Sequence, residues 1–193
     1  NSLQRLQTDY IDVYQLHGGT TEDNWEEIID TFEGLKKQGL IRAYGISSIR
    51  PNVFLPFSQT STAISNMMQF NILDERAGEY FEPIQQVGAS VVTRGTVAKG
   101  LLTNDWRERL KAFMSYDEAQ AKELLEKIEA LYGDVHAAAL AFNLSYETVA
   151  STVIGARTKQ QLLQNLAAYD KAQTLGDLNQ LLSFTRQDRY TDH

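Results

Sequence analysis

Five short runs of apolar and β-branched residues alternate with segments of helical periodicity along this chain, and this alternation limits the possible folds more than any other feature. The runs cover residues 10–16, 41–47, 66–71, 89–94 and 150–155. Runs of this length between helical segments are typical of parallel strands joined by crossover helices. The chain is therefore predicted to be an α/β protein of five βα units, in an open doubly wound sheet or in part of a closed eight-stranded barrel.

Apolar residues recur at helical spacing between the runs, as Trp25, Ile28 and Phe32 do after the first one. We predict helices over residues 24–37, 50–59, 77–87, 117–132, 134–143, 158–169 and 175–186. Thr20 or Thr21 is expected to cap the first helix, because a hydroxyl there accepts a free N–H of the first turn. The last helix follows the five βα units at the C-terminal end.

The open-sheet alternative is weakened because no Gly-x-Gly-x-x-Gly motif follows any of the five runs. Each βα unit here takes about 30 to 40 residues, and a complete barrel needs about 250. The 193 residues of the chain fall short of that length by about three units. Since no linker interrupts the chain, we predict a single domain over residues 1–193 that supplies about five units of a (β/α)8 TIM barrel.

The composition argues against several classes of function. The chain has no cysteine, so it forms no disulfide and no thiolate metal site, and its three histidines follow no metal-ligand spacing. A net charge of −7 argues against a nucleic-acid partner, although a small phosphate-bearing ligand needs only a few local cations. No apolar run approaches the roughly 20 residues of a membrane helix. A cytoplasmic protein without a metal or a membrane partner is predicted.

Polar side chains stand at or near the carboxyl ends of the first three predicted strands, where a parallel barrel places its active site. His17 ends the first strand and shares a face with Gln15. Ser47 and Ser48 end the second strand, and Gln69 lies in the third. These groups could polarise a substrate or bind a neutral amide. Each group also has a structural alternative. His17 could be a hydrogen-bonded structural histidine, Ser47 and Ser48 could cap a helix, and Gln69 could be a core amide with its hydrogen bonds made.

Two further turns carry positive charge. Gly155, Arg157 and Thr158 join the fifth strand to its helix, and Thr158 is expected to cap that helix, so free N–H groups and the helix dipole there favour a phosphate monoester. Arg94 ends the fourth strand, and the segment from Arg94 to Gly100 could approach a pyrophosphate. For the turn at residues 155–158, the alternative is an ordinary capped turn that binds no ligand.

Taken in order, these strand ends and turns resemble successive segments of aldo-keto reductases. The segments are TDYIDVYQLHG, LKKQGLIRAYGISS, QFNILDER, VVTRGTVAKGLLT and STVIGARTKQQLLQNLAA, between residues 2 and 168. Members of that family are (β/α)8 barrels that reduce carbonyls, so the resemblance implies NADPH or NADP as the cofactor and a small-molecule carbonyl substrate. It also implies that the chain is the C-terminal two-thirds of a family member, from just before barrel strand four, and that the N-terminal third is absent.

The resemblance assigns roles to individual residues. His17 matches the active-site histidine that orients and polarises the substrate carbonyl. The implied cofactor-binding residues are Ser47, Ser48 and Gln69 for the nicotinamide carboxamide, Gly100, Leu101 and Leu102 near the pyrophosphate, Gly155, Arg157 and Thr158 around the adenosine 2′-phosphate, and Gln161 and Asn165 for the phosphate and adenine. Arg94 stands where many members have a tyrosine that stacks on the nicotinamide, and a guanidinium can also lie flat against a ring.

The family's proton-donating tyrosine has no matching position in this chain. Tyr10 and Tyr14 alternate away from the face of His17, so neither is expected to replace it. Because carbonyl reduction needs a positioned acid, we predict no measurable carbonyl reductase activity for these 193 residues alone. Two alternatives stay open, a non-catalytic nucleotide-binding or regulatory protein of the same family and an unrelated phosphate-binding barrel.

Overall fold

The computed structural model describes residues 2–186 and 188–190 of the chain. Its strands form a five-stranded sheet in the order β1-β2-β3-β4-β5. They are β1 (Ile11–His17), β2 (Ile41–Ser47), β3 (Ser65–Gln69), β4 (Ser90–Arg94) and β5 (Val149–Val153). β1 pairs with β2, and β2 pairs with β3, in parallel. The predicted α/β fold is confirmed, and each strand begins and ends within two residues of its predicted bounds.

Helices separate the strands along the chain. They are α1 (Ser2–Leu6), α2 (Trp25–Lys37), α3 (Pro51–Thr60), α4 (Phe81–Gln86), α5 (Trp106–Arg109), α6 (Glu118–Tyr132), α7 (Val135–Leu144), α8 (Lys159–Ala172) and α9 (Asn179–Phe184). Short 3-10 turns cover Gly78–Tyr80 and Ala98–Gly100. The periodicity predicts every helix of six residues or more, and misses α1 and α5, which have five and four residues.

The cap of α2 differs from the prediction. Asn24, and neither Thr20 nor Thr21, caps this helix, because the Asn24 side-chain oxygen accepts the N–H of Glu27 at 3.3 Å. The backbone of Thr20 is used elsewhere, since its carbonyl accepts the indole N–H of Trp25 at 3.1 Å. The helix therefore begins later in the chain than a cap at Thr20 or Thr21 would place it.

Two predicted helices are shorter in the structure. The segment over residues 77–87 begins as a 3-10 turn, and α4 starts only at Phe81. Pro83 lies in the first turn of α4, where its missing N–H is tolerated, whereas deeper in a longer helix it would remove a hydrogen bond. The last helix covers Asn179–Phe184 within the predicted residues 175–186, and Gly176 disfavours an earlier start.

The described residues divide into two compact units. Unit 1 contains residues 2–68 and 80–91, and unit 2 contains residues 69–79, 92–186 and 188–190. The prediction of a single domain over residues 1–193 stays a prediction. Of the candidate site residues, unit 1 contains His17, Ser47 and Ser48, and unit 2 contains the others.

Aromatic packing in unit 1 determines which face of β2 is covered. Tyr44 is fully buried, and its ring stacks on Phe32 of α2 at 4.9 Å and meets Phe57 of α3 edge-on at 6.1 Å. Gly45 faces the other way, and a Cβ there would lie 2.4 Å from Ser65 Oγ of β3. Because side chains alternate along a strand, Ser47 lies on the same face as Gly45, opposite the aromatic cluster.

One hydrophobic cluster of unit 2 lies between α7, α8 and the end of β5. Ala137 and Leu140 of α7 pack with Ala168 of α8, and Ile154 packs against this cluster directly after β5. All three cluster residues are buried. This packing fixes the turn between β5 and α8, where the sequence predicts a phosphate site.

Candidate functional site

His17 and Ser47 lie side by side at the carboxyl ends of their strands. They are partners in the β1–β2 register, and the N–H of Gly18 donates to the carbonyl of Ser47 at 2.9 Å. His17 is exposed and Ser47 is half-buried. The imidazole is therefore accessible at the end of β1, as the sequence predicts.

The side chains of β1 alternate as predicted. Gln15 donates to Ser65 Oγ at 3.4 Å on one face. Tyr14 lies on the opposite face, where its ring packs at 6.1 Å from that of Phe32 and its hydroxyl is 3.4 Å from Ser2 Oγ. His17 shares the face of Gln15. The imidazole and the Tyr14 hydroxyl therefore lie on opposite faces of β1.

Ser48 has a local structural contact. It is 6% exposed, and its hydroxyl accepts the N–H of Arg50, which precedes α3, at 3.2 Å. The Arg50 guanidinium in turn donates to the carbonyl of Gly19 at 3.0 Å. A Cβ at Gly19 would lie 2.6 Å from the Trp25 ring, and its φ is 105°, so glycine is required where this turn passes the indole.

Gln69 is the last residue of β3 and belongs to unit 2. A buried carboxylate holds its side-chain amide. The Gln69 side-chain N–H donates to Asp74 Oδ2 at 2.6 Å. Asp74 also accepts from Arg76, at 2.7 Å on Oδ1 and 3.1 Å on Oδ2. The side chain of Asp74 is fully buried, and the hydrogen bond to it raises the pKa of Arg76. The sequence prediction includes Gln69 but misses Asp74.

Arg94 approaches the same amide from β4. Its guanidinium donates to Gln69 Oε1 at 3.3 Å, and the Arg94 carbonyl accepts the N–H of Phe70 at 3.1 Å. A Cβ at Gly95 would lie 3.2 Å from Gln69 Cγ. Asn71 donates to the Gly95 carbonyl at 3.0 Å. Gln69 and Arg94, both predicted as cofactor-binding residues, are thus in contact.

The predicted pyrophosphate loop follows β4 as a run of left-handed residues. Residues 98–100 have φ of 45°, 58° and 93°. The N–H groups of Gly100 and Leu102 both donate to the Val97 carbonyl, at 2.7 and 3.1 Å, and the Leu102 side chain is fully buried. A Cβ at Gly100 would lie 2.8 Å from Arg109 Cδ. The loop is therefore preorganised by its own hydrogen bonds, which a ligand bound to these N–H groups would have to share.

The turn before α8 has the predicted cap. Thr158 Oγ1 accepts the N–H of Gln161 at 3.2 Å, and the Gln161 side chain accepts the N–H of Arg157 at 2.8 Å. The residues from Gly155 to Lys159 are exposed, and Asn165 is half-buried one turn beyond Gln161. The first turn of α8 contains no acidic residue. An exposed, capped helix start with two cations beside it suits an anionic ligand.

A second carboxylate of unit 2 lies next to Asp74 in the chain. Burial raises the pKa of Glu75, a hydrogen bond with Thr185 lowers it, and nearby Asp188 raises it, and together they bring it to about 7. Burial and the charge of Glu75 raise the pKa of Tyr146 to about 12. No local pattern in the sequence marks Glu75 as a buried carboxyl group.

Neither a metal centre nor a membrane span is found in the described part of the chain. Within residues 2–186 and 188–190, no group of three or more His, Asp or Glu side chains is placed to hold a metal ion. No helix there is long and apolar enough to cross a bilayer. The buried His136 side chain on α7, whose pKa burial lowers, is likewise part of no such group.

Known proteins resemble this chain over nearly its whole length. The uncharacterized oxidoreductase YqkF of Bacillus subtilis is 42% identical over 201 residues, covering 100% of this chain and 66% of that protein. The NADH-specific methylglyoxal reductase of Escherichia coli is 24% identical, covering 86% of this chain and 56% of that protein. The solved structure of aldo-keto reductase AKR11C1 from Bacillus halodurans, holo form, superposes with a TM-score of 0.89 and 40% identity, covering 100% of this chain and 64% of that one.

The chain therefore spans about two-thirds or less of the length of these relatives. A family model described as the aldo/keto reductase family matches residues 1–182. The narrower expectation, a resemblance between residues 2 and 168 to the C-terminal two-thirds of such a protein, is off in this detail. The five βα units resemble part of the barrel of the structural relatives, and the chain belongs to the aldo/keto reductase family.

Proposed function

We propose that this chain carries nucleotide-binding residues and the active-site histidine of an NADPH-dependent oxidoreductase that reduces aldehydes or ketones to alcohols. Membership of the aldo/keto reductase family supports the reaction class. The observation that carries the cofactor proposal is the exposed, capped start of α8, with Arg157 and Lys159 on either side of Thr158.

The start of α8 fits the 2′-phosphate that distinguishes NADPH from NADH. The first N–H groups of a helix have no partner within the helix, and Thr158 Oγ1 takes up that of Gln161. The N–H groups that precede it, the helix dipole and the guanidinium of Arg157 are then available to a phosphate monoester. Gln161 fixes the backbone of Arg157 at 2.8 Å, which limits the conformations of the turn.

The other end of the cofactor has candidate partners at the strand ends. The Gln69 amide, held by Asp74 and Arg94, offers a donor and an acceptor to a carboxamide. The Arg94 guanidinium can lie against a ring. The assignment of Ser47, in unit 1, to the carboxamide stays a prediction from the family resemblance. When bound, the reduced nicotinamide supplies the hydride.

His17 would hold the substrate carbonyl. An imidazole N–H that donates to the carbonyl oxygen stabilises the negative charge that develops there. The oxygen also requires a proton, and Tyr14 faces Phe32 on the covered side of β1. We therefore expect no NADPH-dependent turnover of an aromatic aldehyde by these 193 residues alone. The same placement of Tyr14 favours, as the second candidate, a non-catalytic nucleotide-binding role for this chain.

The proposal is tested by titrating the purified chain with NADPH and NADH and following the fluorescence of the reduced nicotinamide. We expect NADPH to bind at least about tenfold more tightly, since a charge-assisted hydrogen bond contributes about 1.5–3 kcal/mol and 1.4 kcal/mol is a factor of ten. Arg157→Ala should abolish most of this preference while leaving NADH binding within about twofold.

Lys122→Ala provides the matched control, because it removes one exposed cation from α6 and should leave the preference unchanged. Equal affinity of the wild-type chain for both nucleotides would contradict the NADPH assignment. A preference for NADH would contradict it as well, and one relative, from Escherichia coli, is named an NADH-specific methylglyoxal reductase. Binding of neither nucleotide would contradict the cofactor proposal altogether.

The small-molecule carbonyl substrate and the cytoplasmic location stay predictions from the family resemblance and the composition. Steady-state assays of a longer protein that contains this chain, with a panel of aldehydes and ketones, would identify the substrate class. His17→Ala in that protein should lower kcat/KM by about 10²-fold or more, as removal of one oxyanion donor does.

A further inference from the structure

The turn after β3 contains a carboxylate with no access to solvent and a complete set of partners. Both oxygens of Asp74 accept hydrogen bonds from Arg76, in a bidentate arrangement at 2.7 and 3.1 Å. Oδ2 accepts a further bond from the Gln69 amide at 2.6 Å. The backbones of Asn71 and Asp74 bond to each other in both directions, at 3.1 and 2.9 Å. The carboxylate is thus fixed by Arg76 and by a closed turn, and it can in turn orient Gln69.

The neighbours of Gln69 leave only one orientation of its amide. A carboxylate has acceptors only and a guanidinium has donors only. Asp74 therefore requires the NH₂ group of Gln69, and Arg94 requires its carbonyl oxygen, as observed at 2.6 and 3.3 Å. Gly95 leaves room for the Gln69 side chain, since a Cβ there would come within 3.2 Å of Gln69 Cγ.

One N–H and one oxygen lone pair of Gln69 stay available once these two bonds are made. They are of opposite polarity, which matches the C=O and NH₂ of a primary carboxamide. A carboxylate lacks the donor of this pair, and so does an acetyl group. An amide free to rotate would instead present its two ends in either order.

We propose that Asp74 is a positioning residue that fixes the orientation of the Gln69 amide and thereby makes this site select a primary carboxamide on the pyridine ring of the nucleotide. The inference rests on the proposed function, which places Gln69 against that carboxamide. It assigns a role to a residue that contacts no ligand in the proposal and acts through Gln69 alone.

The test compares NADP⁺ with its 3-acetylpyridine analogue, which lacks the carboxamide NH₂, and with adenosine 2′,5′-bisphosphate, which lacks the whole nicotinamide riboside. Dissociation constants are measured by calorimetry on the full 193-residue chain. The wild-type chain should bind NADP⁺ about tenfold more tightly than the analogue, the effect of one hydrogen bond.

Asp74→Asn offers Gln69 both a donor and an acceptor, so only the 3.3 Å bond from Arg94 still favours one orientation of the amide. The preference for NADP⁺ over the analogue should fall to about twofold, and the affinity for the bisphosphate should stay within about twofold. Glu79→Gln is the matched control, because it makes the same change of charge on an exposed side chain of the same segment, and it should leave all three constants unchanged. Gln69→Met should remove the preference by itself, and adding Asp74→Asn to it should change nothing further.

If Asp74→Asn does not fold, Asp74→Glu is the second variant. It keeps the negative charge opposite Arg76 and displaces the carboxylate by one methylene. Its preference should fall to threefold or less. An undiminished preference in a folded Asp74 variant overturns the inference, and so does an equal loss of affinity for NADP⁺ and the bisphosphate, which would indicate a general loss of structure. Either result leaves the proposed function standing, whereas a wild-type chain that binds neither ligand overturns both.

Discussion

The buried carboxyl group of Glu75 should make the chain less stable as the pH rises toward neutrality. Burial raises the pKa of Glu75 to about 7 from an ordinary value of 4.5. Between these two values the folded chain holds a proton that the unfolded chain has released, so the free energy of unfolding falls as pH increases. The stabilisation present below pH 4.5 is lost as the pH passes through 7.

The magnitude follows from the size of the shift. One pKa unit corresponds to about 1.36 kcal/mol, so a shift to about 7 represents at most about 3.4 kcal/mol. Glu75 is half-buried, and screening by water reduces this to about 2 kcal/mol. Glu75→Gln keeps a neutral side chain of the same shape at every pH. It should exceed the wild-type stability by less than about 1 kcal/mol at pH 5 and by about 2 kcal/mol at pH 8.

Urea unfolding followed by circular dichroism at pH 5, 6, 7 and 8 measures the effect. Glu108→Gln, at an exposed position of α5, is the control and should retain the pH dependence of the wild-type chain. A difference between Glu75→Gln and the wild-type chain that does not grow with pH would refute the reasoning. It would mean that the carboxyl group is solvated and does not hold its proton.

Two further predictions concern the backbone at strand and helix ends, and thermal unfolding checks both. Gly45→Ala should destabilise the chain by about 1–3 kcal/mol, because its Cβ would lie 2.4 Å from Ser65 Oγ, whereas Gly34→Ala, with open space in the middle of α2, should stabilise it by about 0.5–1 kcal/mol. A loss at Gly34 as large as that at Gly45 would contradict the packing argument. Thr158→Ala should cost about 1 kcal/mol by removing the cap that accepts the N–H of Gln161, and no loss at all would show that the cap contributes nothing.

The strands are predicted well because their signals are local. β2 has the predicted bounds of residues 41–47, since Gly39 follows the preceding helix and a mostly apolar run begins directly after it. The cap of α2 is missed because four residues that can cap a helix, Thr20, Thr21, Asp23 and Asn24, occur within five positions. The choice among them depends on the tertiary contact between Thr20 and the indole of Trp25, which no local pattern contains.

The candidate site is predicted only in part for a similar reason. Gln69, Arg94 and Thr158 are found because they end strands or begin a helix, positions that a sequence pattern identifies. Asp74 is missed because its burial depends on the turn that brings it back to Gln69, five residues earlier. A charged residue near Arg76 in the sequence is normally interpreted as part of an exposed ion pair. Only the burial of the Asp74 side chain distinguishes the two cases.

The central claim is that the residues around Arg157 and Thr158 bind the phosphate end of the cofactor and that Gln69 binds its carboxamide. The most direct measurement is a ¹H–¹⁵N correlation spectrum of the chain titrated with NADP⁺. We expect the backbone amides of residues 157–161 and the side-chain amide of Gln69 to shift together, with one dissociation constant. A titration in which these signals stay fixed while others move would contradict the account.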